Sequence, residues 1–252
     1  MLDNRTRARL KAGETVFGCF VRYPSASLVE MMTFHGWDFL VFDGEHGTIA
    51  PEDCEQMTRA AQLRGATPIA RVPTNEPSTI LRFLDTGAQG VHVPLVNSAA
   101  EAEAAVRSVK YHPRGARGLG GVRAAEYGQG MPLAEYVRVA NEHTLTVVHI
   151  ETEIAIDNLR EIVAIDGVDV VFVGPTDLSQ SLGIPGERGH PRLREAIARA
   201  VDAVVGTDVA LGTLVSTAED AREWMGWGAR YIAISLEAVV ASSSRGFLSA
   251  LR

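Results

Sequence analysis

A chain of 252 residues, 46% hydrophobic and 22% charged, has the make-up of a soluble globular protein and is long enough to bury a self-sufficient core. Its formal net charge of −7 argues against a nucleic-acid binder, because neutralising phosphates takes clustered excess base. No apolar run approaches the roughly 20 residues of a membrane helix. The charged opening MLDNRTRARLKAG lacks the apolar stretch of a signal peptide, and Cys19 and Cys54 make no disulfide framework, so a cytoplasmic protein is expected.

In chain order, the first dozen residues read as a helix closing the bottom of a barrel. Short apolar, β-branched runs then alternate with amphipathic stretches. Strands are expected at 16–21 and 39–43, a helix at 51–64, a strand at 68–72, a helix at 77–86, a strand at 90–95 and a helix at 99–110. After a longer interval come a strand at 146–151, a helix at 158–164, a strand at 170–174, a helix at 191–206, a strand at 211–215, a helix at 218–227 and a strand at 231–235. Most of the strand runs are continuously hydrophobic, as parallel strands covered on both faces must be. Strand–helix alternation with eight strands predicts a closed (β/α)8 TIM barrel, one domain over residues 1–252. The interval between the fourth and fifth strands, about fifty residues, is too long for a plain loop. It is expected to carry a helix at 132–141 and, in the glycine- and arginine-rich YHPRGARGLGG segment at 111–121, a lid or a subunit contact.

Barrel enzymes place reactive groups at the C-terminal ends of their strands. There the chain has Asp43, Glu45 and His46 after strand two, Arg71 on strand three, His149 and Glu151 on strand five, and Gly174-Pro175-Thr176-Asp177 after strand six. Strand seven ends in the uncharged Leu214-Val215-Ser216. Glu151 and Asp177 on neighbouring staves can share a hard cation, which needs only one or two protein carboxylates; each alone would equally suit a helix cap or surface pair. The Gly174 turn reads as opening a short helix whose free N–H groups suit a carboxylate. Arg71 either partners a buried carboxylate or holds a developing enolate oxygen. His46, in a glycine-flanked loop, has the chemistry of a general base at neutral pH. His35, His92, His112, His143 and His190 have no comparable neighbours. Schiff-base chemistry needs a desolvated lysine, and the chain has only Lys11 and Lys110, both off the strand ends, so a metal must do the polarising.

In order and spacing, Phe42-Asp43-Gly44-Glu45-His46, Arg71-Val72-Pro73, Tyr111-His112-Pro113-Arg114-Gly115-Ala116-Arg117-Gly118, Ile150-Glu151-Thr152 and Gly174-Pro175-Thr176-Asp177-Leu178-Ser179 resemble the HpcH/HpaI aldolase family across essentially the whole chain. The resemblance implies that Glu151 and Asp177 bind a divalent cation (Mg2+, Mn2+ or Co2+) that chelates pyruvate, and that Arg71 stabilises the enolate oxygen. It implies that His46 serves the proton transfers, oriented by Asp85 of a neighbouring subunit and supported by Asp43. Gly174, Pro175, Thr176, His149 and Leu214 would line the substrate, and the family's trimers or hexamers make a homo-oligomer the expected assembly. Departures are His149 where the family often has Gln, Thr176 where it often has Ala, Phe20–Arg22 where it often has Trp, and an early stop after the last helix. The implied activity is cleavage of 4-hydroxy-2-oxo acids to pyruvate and an aldehyde, with oxaloacetate decarboxylation alongside. The rivals are an acyl-CoA ester lyase, for which no basic cleft is apparent, and a non-catalytic small-acid-binding barrel. Fold alone does not decide among them.

Overall fold

The computed structural model describes residues 3–252. The apolar runs form β1 (Val16–Val21), β2 (Phe39–Asp43), β3 (Thr67–Arg71), β4 (Gly90–Val93), β5 (Leu145–Ile150), β6 (Val170–Val173), β7 (Ala210–Val215) and β8 (Tyr231–Ser235). Each strand pairs in parallel with the next, and β8 pairs back onto β1, so the sheet closes as an eight-stranded barrel. Around it, in chain order, lie α1 (Arg5–Lys11), α2 (Ala26–Thr33), α3 (Pro51–Gln62), α4 (Pro77–Asp85), α5 (Ala99–Val109), α6 (Leu133–His143), α7 (Glu153–Asp157), α8 (Leu159–Val163), α9 (Pro175–Ser181), α10 (Pro191–Val204), α11 (Ala218–Gly226) and α12 (Leu236–Ser249). Among the described residues no helix is long and apolar enough to cross a membrane.

Alternate side chains of each strand point inward and outward, which divides the core in two. The outward set packs against the helices. The inward set includes Phe20, Phe39, Phe172 and Tyr231, each ring contributing roughly 2–3 kcal/mol by burial. Phe39 and Tyr231 stack with centroids 4.1 Å apart. Glycine on adjoining strands makes room: a Cβ on Gly18 would lie 2.1 Å from the Phe39 ring, and one on Gly212 only 3.0 Å from that of Tyr231. The bottom is closed by α1, as expected. Its Leu10 joins the inner cluster, and the Asn4 amide donates to the carbonyls of Gln89 and His143 at 2.9 and 2.8 Å, just ahead of β4 and β5.

One expected helix gains a neighbour, and one expectation is corrected. The helix expected at 158–164 is the second of a pair, α7 and α8, which meet at Asn158; Thr152 caps the first through a bond from the Ala155 N–H. The segment at 111–121 is no lid for its own barrel. The Ala116 N–H bonds the Arg107 carbonyl at 2.7 Å and the Arg117 N–H bonds that of Lys110 at 3.0 Å, folding the segment onto the end of α5. A helix following a barrel strand runs back antiparallel to it, so α5 ends at the face opposite the reactive rim. At the C-terminus, α12 buries only Leu236 and leaves Val240, Phe247 and Leu248 exposed.

Candidate active site

At the top of β2 and β3 the register sets Asp43 beside Arg71. The guanidinium clamps the carboxylate bidentately, with Nε donating to Oδ1 at 2.8 Å and Nη2 to Oδ2. Arg22, just past β1, adds a bond from Nε to Oδ2 at 3.1 Å, and the backbone N–H groups of Glu45 and His46 donate to Oδ1 at 3.1 and 3.0 Å. Burial alone would raise the Asp43 pKa; the bonds and charge of Arg71, with the His46 N–H and Arg22, outweigh it and hold the carboxyl below its ordinary value. Asp43 is therefore an anchor that shapes the His46 loop, and Arg71 is at least the partner of a buried carboxylate. The third guanidinium nitrogen, Nη1, lies 3.1 Å from Glu45 Oε2, an oxygen with no well-formed hydrogen bond. Burial pushes the Glu45 pKa up, with Arg71 opposing and Glu151 adding to the rise. That influence of Glu151 ties the two halves of the rim together. Linear reading attached no role to Glu45 beyond its place in the motif.

Glu151, just past β5, is boxed on three sides. His149 Nδ1 lies 2.7 Å from Oε1, and the Leu95 N–H donates to Oε2 at 3.3 Å. Leu95 itself takes a left-handed φ of 52°. Across from them, Gly174 comes so close that a Cβ there would sit 3.0 Å from Cγ and 3.1 Å from Oε1. Burial works against ionisation of Glu151, but the His149 ring, its hydrogen bond and the Leu95 N–H outweigh burial, and the pKa falls below its ordinary value. Neither Glu151 nor Asp177 caps a helix: Thr152 caps α7, and Gly174 occupies the N-cap of α9 with Asp177 exposed in the first turn.

Among the described residues no group of three or more His, Cys, Asp or Glu side chains gathers as a metal cage. A magnesium-type site needs no such group, because one or two carboxylates suffice when water and substrate oxygens complete the shell. An ionised, buried Glu151 facing a side-chain-free Gly174, with Asp177 following on α9, fits a hard cation.

The remaining expected residues divide. His46 is exposed on its loop, and its ring makes no hydrogen bond among the described residues. Asp85 ends α4 and accepts from Arg117 at 2.8 Å. Because α4 descends from the rim, Asp85 lies at the opposite face from His46 of its own chain. Pro175 and Leu214 line one small cavity of about 120 Å³. Thr176 is exposed on the first turn of α9. Larger cavities of about 460 and 580 Å³ flank Arg117, and none of these rim residues lines either of them.

His92, which linear spacing leaves without company, is fully buried inside the barrel, with Nδ1 2.8 Å from His149 Nε2 and Nε2 2.8 Å from the Tyr231 hydroxyl. Its place on an apolar strand was the one available signal, since an inward histidine needs polar partners. Lys110 Nζ donates to the carbonyls of Asn141 (3.1 Å) and Thr144, and burial lowers its pKa to about 8, but it lies at the bottom face. Burial pushes the Cys19 thiol up to about 12 and the Cys54 thiol to about 11, which removes both as nucleophiles.

Comparison with known proteins identifies the family and the fold. Residues 16–243 match the family model described as HpcH/HpaI aldolase/citrate lyase. A 4-hydroxy-2-oxovalerate aldolase of Rhodococcus jostii is 35% identical over 98% of this chain and 95% of its own. A 2-keto-3-deoxy-L-rhamnonate aldolase of Escherichia coli is 31% identical over 97% and 91%. The crystal structure of an HpcH/HpaI aldolase/citrate lyase family protein from Burkholderia cenocepacia superposes with a TM-score of 0.93 at 32% identity, covering 99% of each chain.

Proposed function

Because the chain belongs to the HpcH/HpaI aldolase/citrate lyase family, we propose that it is a divalent-cation-dependent aldolase cleaving 4-hydroxy-2-oxo acids to pyruvate and an aldehyde. The observation that carries this reading is the grouping, at one rim, of a boxed and ionised Glu151, a second carboxylate in Asp177 and an Arg71 pinned by a buried partner. Glu151 and Asp177 would hold the cation, which supplies Lewis-acid polarisation of the 2-oxo acid's oxygens when bound.

The chain's own groups account for the rest. Pro175 has no N–H, and the N–H groups of Thr176 and Asp177 are left open in the first turn of α9, as at any helix start, so they suit the substrate carboxylate. His149 and Leu214 complete the lining. His46 takes the proton of the C4 hydroxyl as the C3–C4 bond breaks and the aldehyde leaves. The bonding electrons pass into an enolate, whose oxygen Arg71 stabilises through Nη1 while Asp43 fixes its other two nitrogens. Proton return to C3 gives pyruvate. Oxaloacetate decarboxylation passes through the same enolate and follows as a side activity. An exposed His46 whose ring has no hydrogen-bond partner among the described residues favours orientation by Asp85 of a neighbouring subunit in a trimer or hexamer. Two buried, unpaired thiols suit a reducing cytoplasm.

The test is a coupled assay for pyruvate release across a panel of 4-hydroxy-2-oxo acids. Extensive chelation should abolish turnover, and Mg2+, Mn2+ or Co2+ should restore it. Full turnover in chelator, or borohydride trapping of pyruvate on a lysine, would refute the reading. Cation-dependent binding of 2-oxo acids with no turnover on any of them would favour a binding protein instead.

A further inference from the structure

Three ring side chains, of which the proposed chemistry uses His149 only as lining and the other two not at all, climb the barrel interior from the start of β8 to the rim of β5. The Tyr231 hydroxyl lies 2.8 Å from His92 Nε2, His92 Nδ1 lies 2.8 Å from His149 Nε2, and His149 Nδ1 lies 2.7 Å from Glu151 Oε1. None of the four is more than 5% exposed, so water does not compete for these contacts. Phe20 meets His92 edge-on at 5.3 Å and Phe172 stacks on His149 at 4.8 Å, which keeps the rings from swinging.

Placing the protons leaves one arrangement for neutral rings. An ionised carboxylate only accepts, so His149 must present Nδ1–H to Glu151. Its bare Nε2 then needs a donor, and the only one in reach among the described residues is His92 Nδ1–H. That leaves His92 Nε2 bare, and the Tyr231 O–H fills it. Burial keeps His92 neutral, its pKa well below the ordinary value, and keeps Tyr231 a phenol, its pKa well above. Every donor therefore points toward Glu151. The other tautomer of His149 would set a lone pair against a carboxylate oxygen 2.7 Å away.

We propose that Tyr231 and His92 are positioning residues for Glu151: they lock His149 as its Nδ1–H tautomer and so hold the carboxylate in a single orientation for an incoming divalent cation. The proposal rests on the reading of Glu151 as a cation ligand. Partners one shell out from a ligand commonly carry tenfold to a hundredfold of metal affinity, and a tautomer lock is one way to do so without touching metal or substrate.

Three variants test it: Tyr231→Phe, which keeps the ring and its stacking, His92→Leu, and the two combined. His92→Leu alone strands both the Tyr231 hydroxyl and His149 Nε2, whereas the double variant removes the stranded hydroxyl and should fold better than His92→Leu. The first readout needs no metal or substrate. In 15N-histidine-labelled protein at about pH 8, where ordinary imidazoles are neutral, long-range 1H–15N correlations should show His92 and His149 both protonated at Nδ1. In Tyr231→Phe the His92 pattern should shift to a mixture. The second readout is Mn2+ affinity by electron paramagnetic resonance. Each single variant should bind about tenfold more weakly, and the double variant no more weakly than His92→Leu, because the hydroxyl acts only through His92. Additive losses would mark a merely structural role and overturn the proposal, as would an Nε2–H signature at His149 in the wild type. Equal Mn2+ affinity in all four proteins would overturn the lock while leaving the cation reading intact. No Mn2+ binding by the wild type would overturn both.

Discussion

Gly174 offers the most direct probe of how tightly Glu151 is held. A methyl group there would sit 3.0 Å from Cγ and 3.1 Å from Oε1, where ordinary contact begins near 3.4 Å, so the carboxylate must retreat by about 0.3–0.4 Å. The backbone raises no objection, because φ at Gly174 is −98°. The retreat has few directions open to it. The 2.7 Å bond from His149 survives a stretch of that size, but the 3.3 Å bond from the Leu95 N–H passes out of range. Losing one hydrogen bond to a charged group costs about 1.5–3 kcal/mol, equivalent to roughly a tenfold to hundredfold loss of cation affinity. Gly174→Ala should therefore bind Mn2+ at least tenfold more weakly and release pyruvate more slowly at limiting Mn2+, with global stability lowered by no more than about 1–3 kcal/mol. Calorimetric or paramagnetic titration with Mn2+, paired with a urea melt, makes the measurement. Unchanged Mn2+ affinity in a folded Gly174→Ala protein would refute the boxed-carboxylate argument.

Arg71→Ala should lower aldol cleavage and pyruvate methyl-proton exchange together, by about a hundredfold or more; normal exchange into deuterated water would remove its enolate role. The same substitution strands buried Asp43 with only Arg22 as a charged partner, so urea denaturation should show a loss of about 3–5 kcal/mol. Asp85→Asn should slow cleavage but spare cation binding, and mixing it with His46→Ala subunits should restore some activity; a fully active monomer by sedimentation would deny the shared site. Burial lowers Lys110 from 10.5 to about 8, so between those values the unfolded chain holds a proton that the folded chain has lost, and stability rises with pH through that window. Against Lys110→Met, the wild-type urea midpoint should gain as pH goes from about 8 to 10, and a flat difference would contradict the buried-ammonium account.

How much of this was legible in sequence follows from which interactions are local. The eight strands read correctly because parallel strands covered on both faces leave unbroken apolar runs, as in Phe39–Asp43. The placement of Asp43, Arg71, His149 and Glu151 at or just past strand ends was legible because position along a strand determines the face of the barrel, and the pairing of Asp43 with Arg71 follows from both ending adjacent parallel strands. The contact of His92 with His149 and Tyr231 did not, because it joins residues 57 and 139 positions apart across the barrel interior. No periodicity encodes which inward side chains meet there. Of the two roles expected for 111–121, a lid or a subunit contact, the lid fails for a similar reason: its glycines and arginines mark an irregular segment, but the fold determines at which end of the barrel it lies.

The closure of β1 against β8 has a consequence for how the protein is made. The five register pairs from Val16↔Tyr231 to Phe20↔Ser235 join segments more than 200 positions apart, so the sheet has two open edges until the last strand leaves the ribosome. Such edges invite pairing with other chains, and long-range pairing of this kind is slow and prone to aggregation. Tyr231 begins that last strand and also supplies the first donor of the chain leading to Glu151. A nascent or refolding barrel that has not yet seated β8 therefore lacks the hydroxyl that starts the chain, and recovery of tight cation binding during refolding should track the final closure of the sheet rather than the earlier appearance of helix.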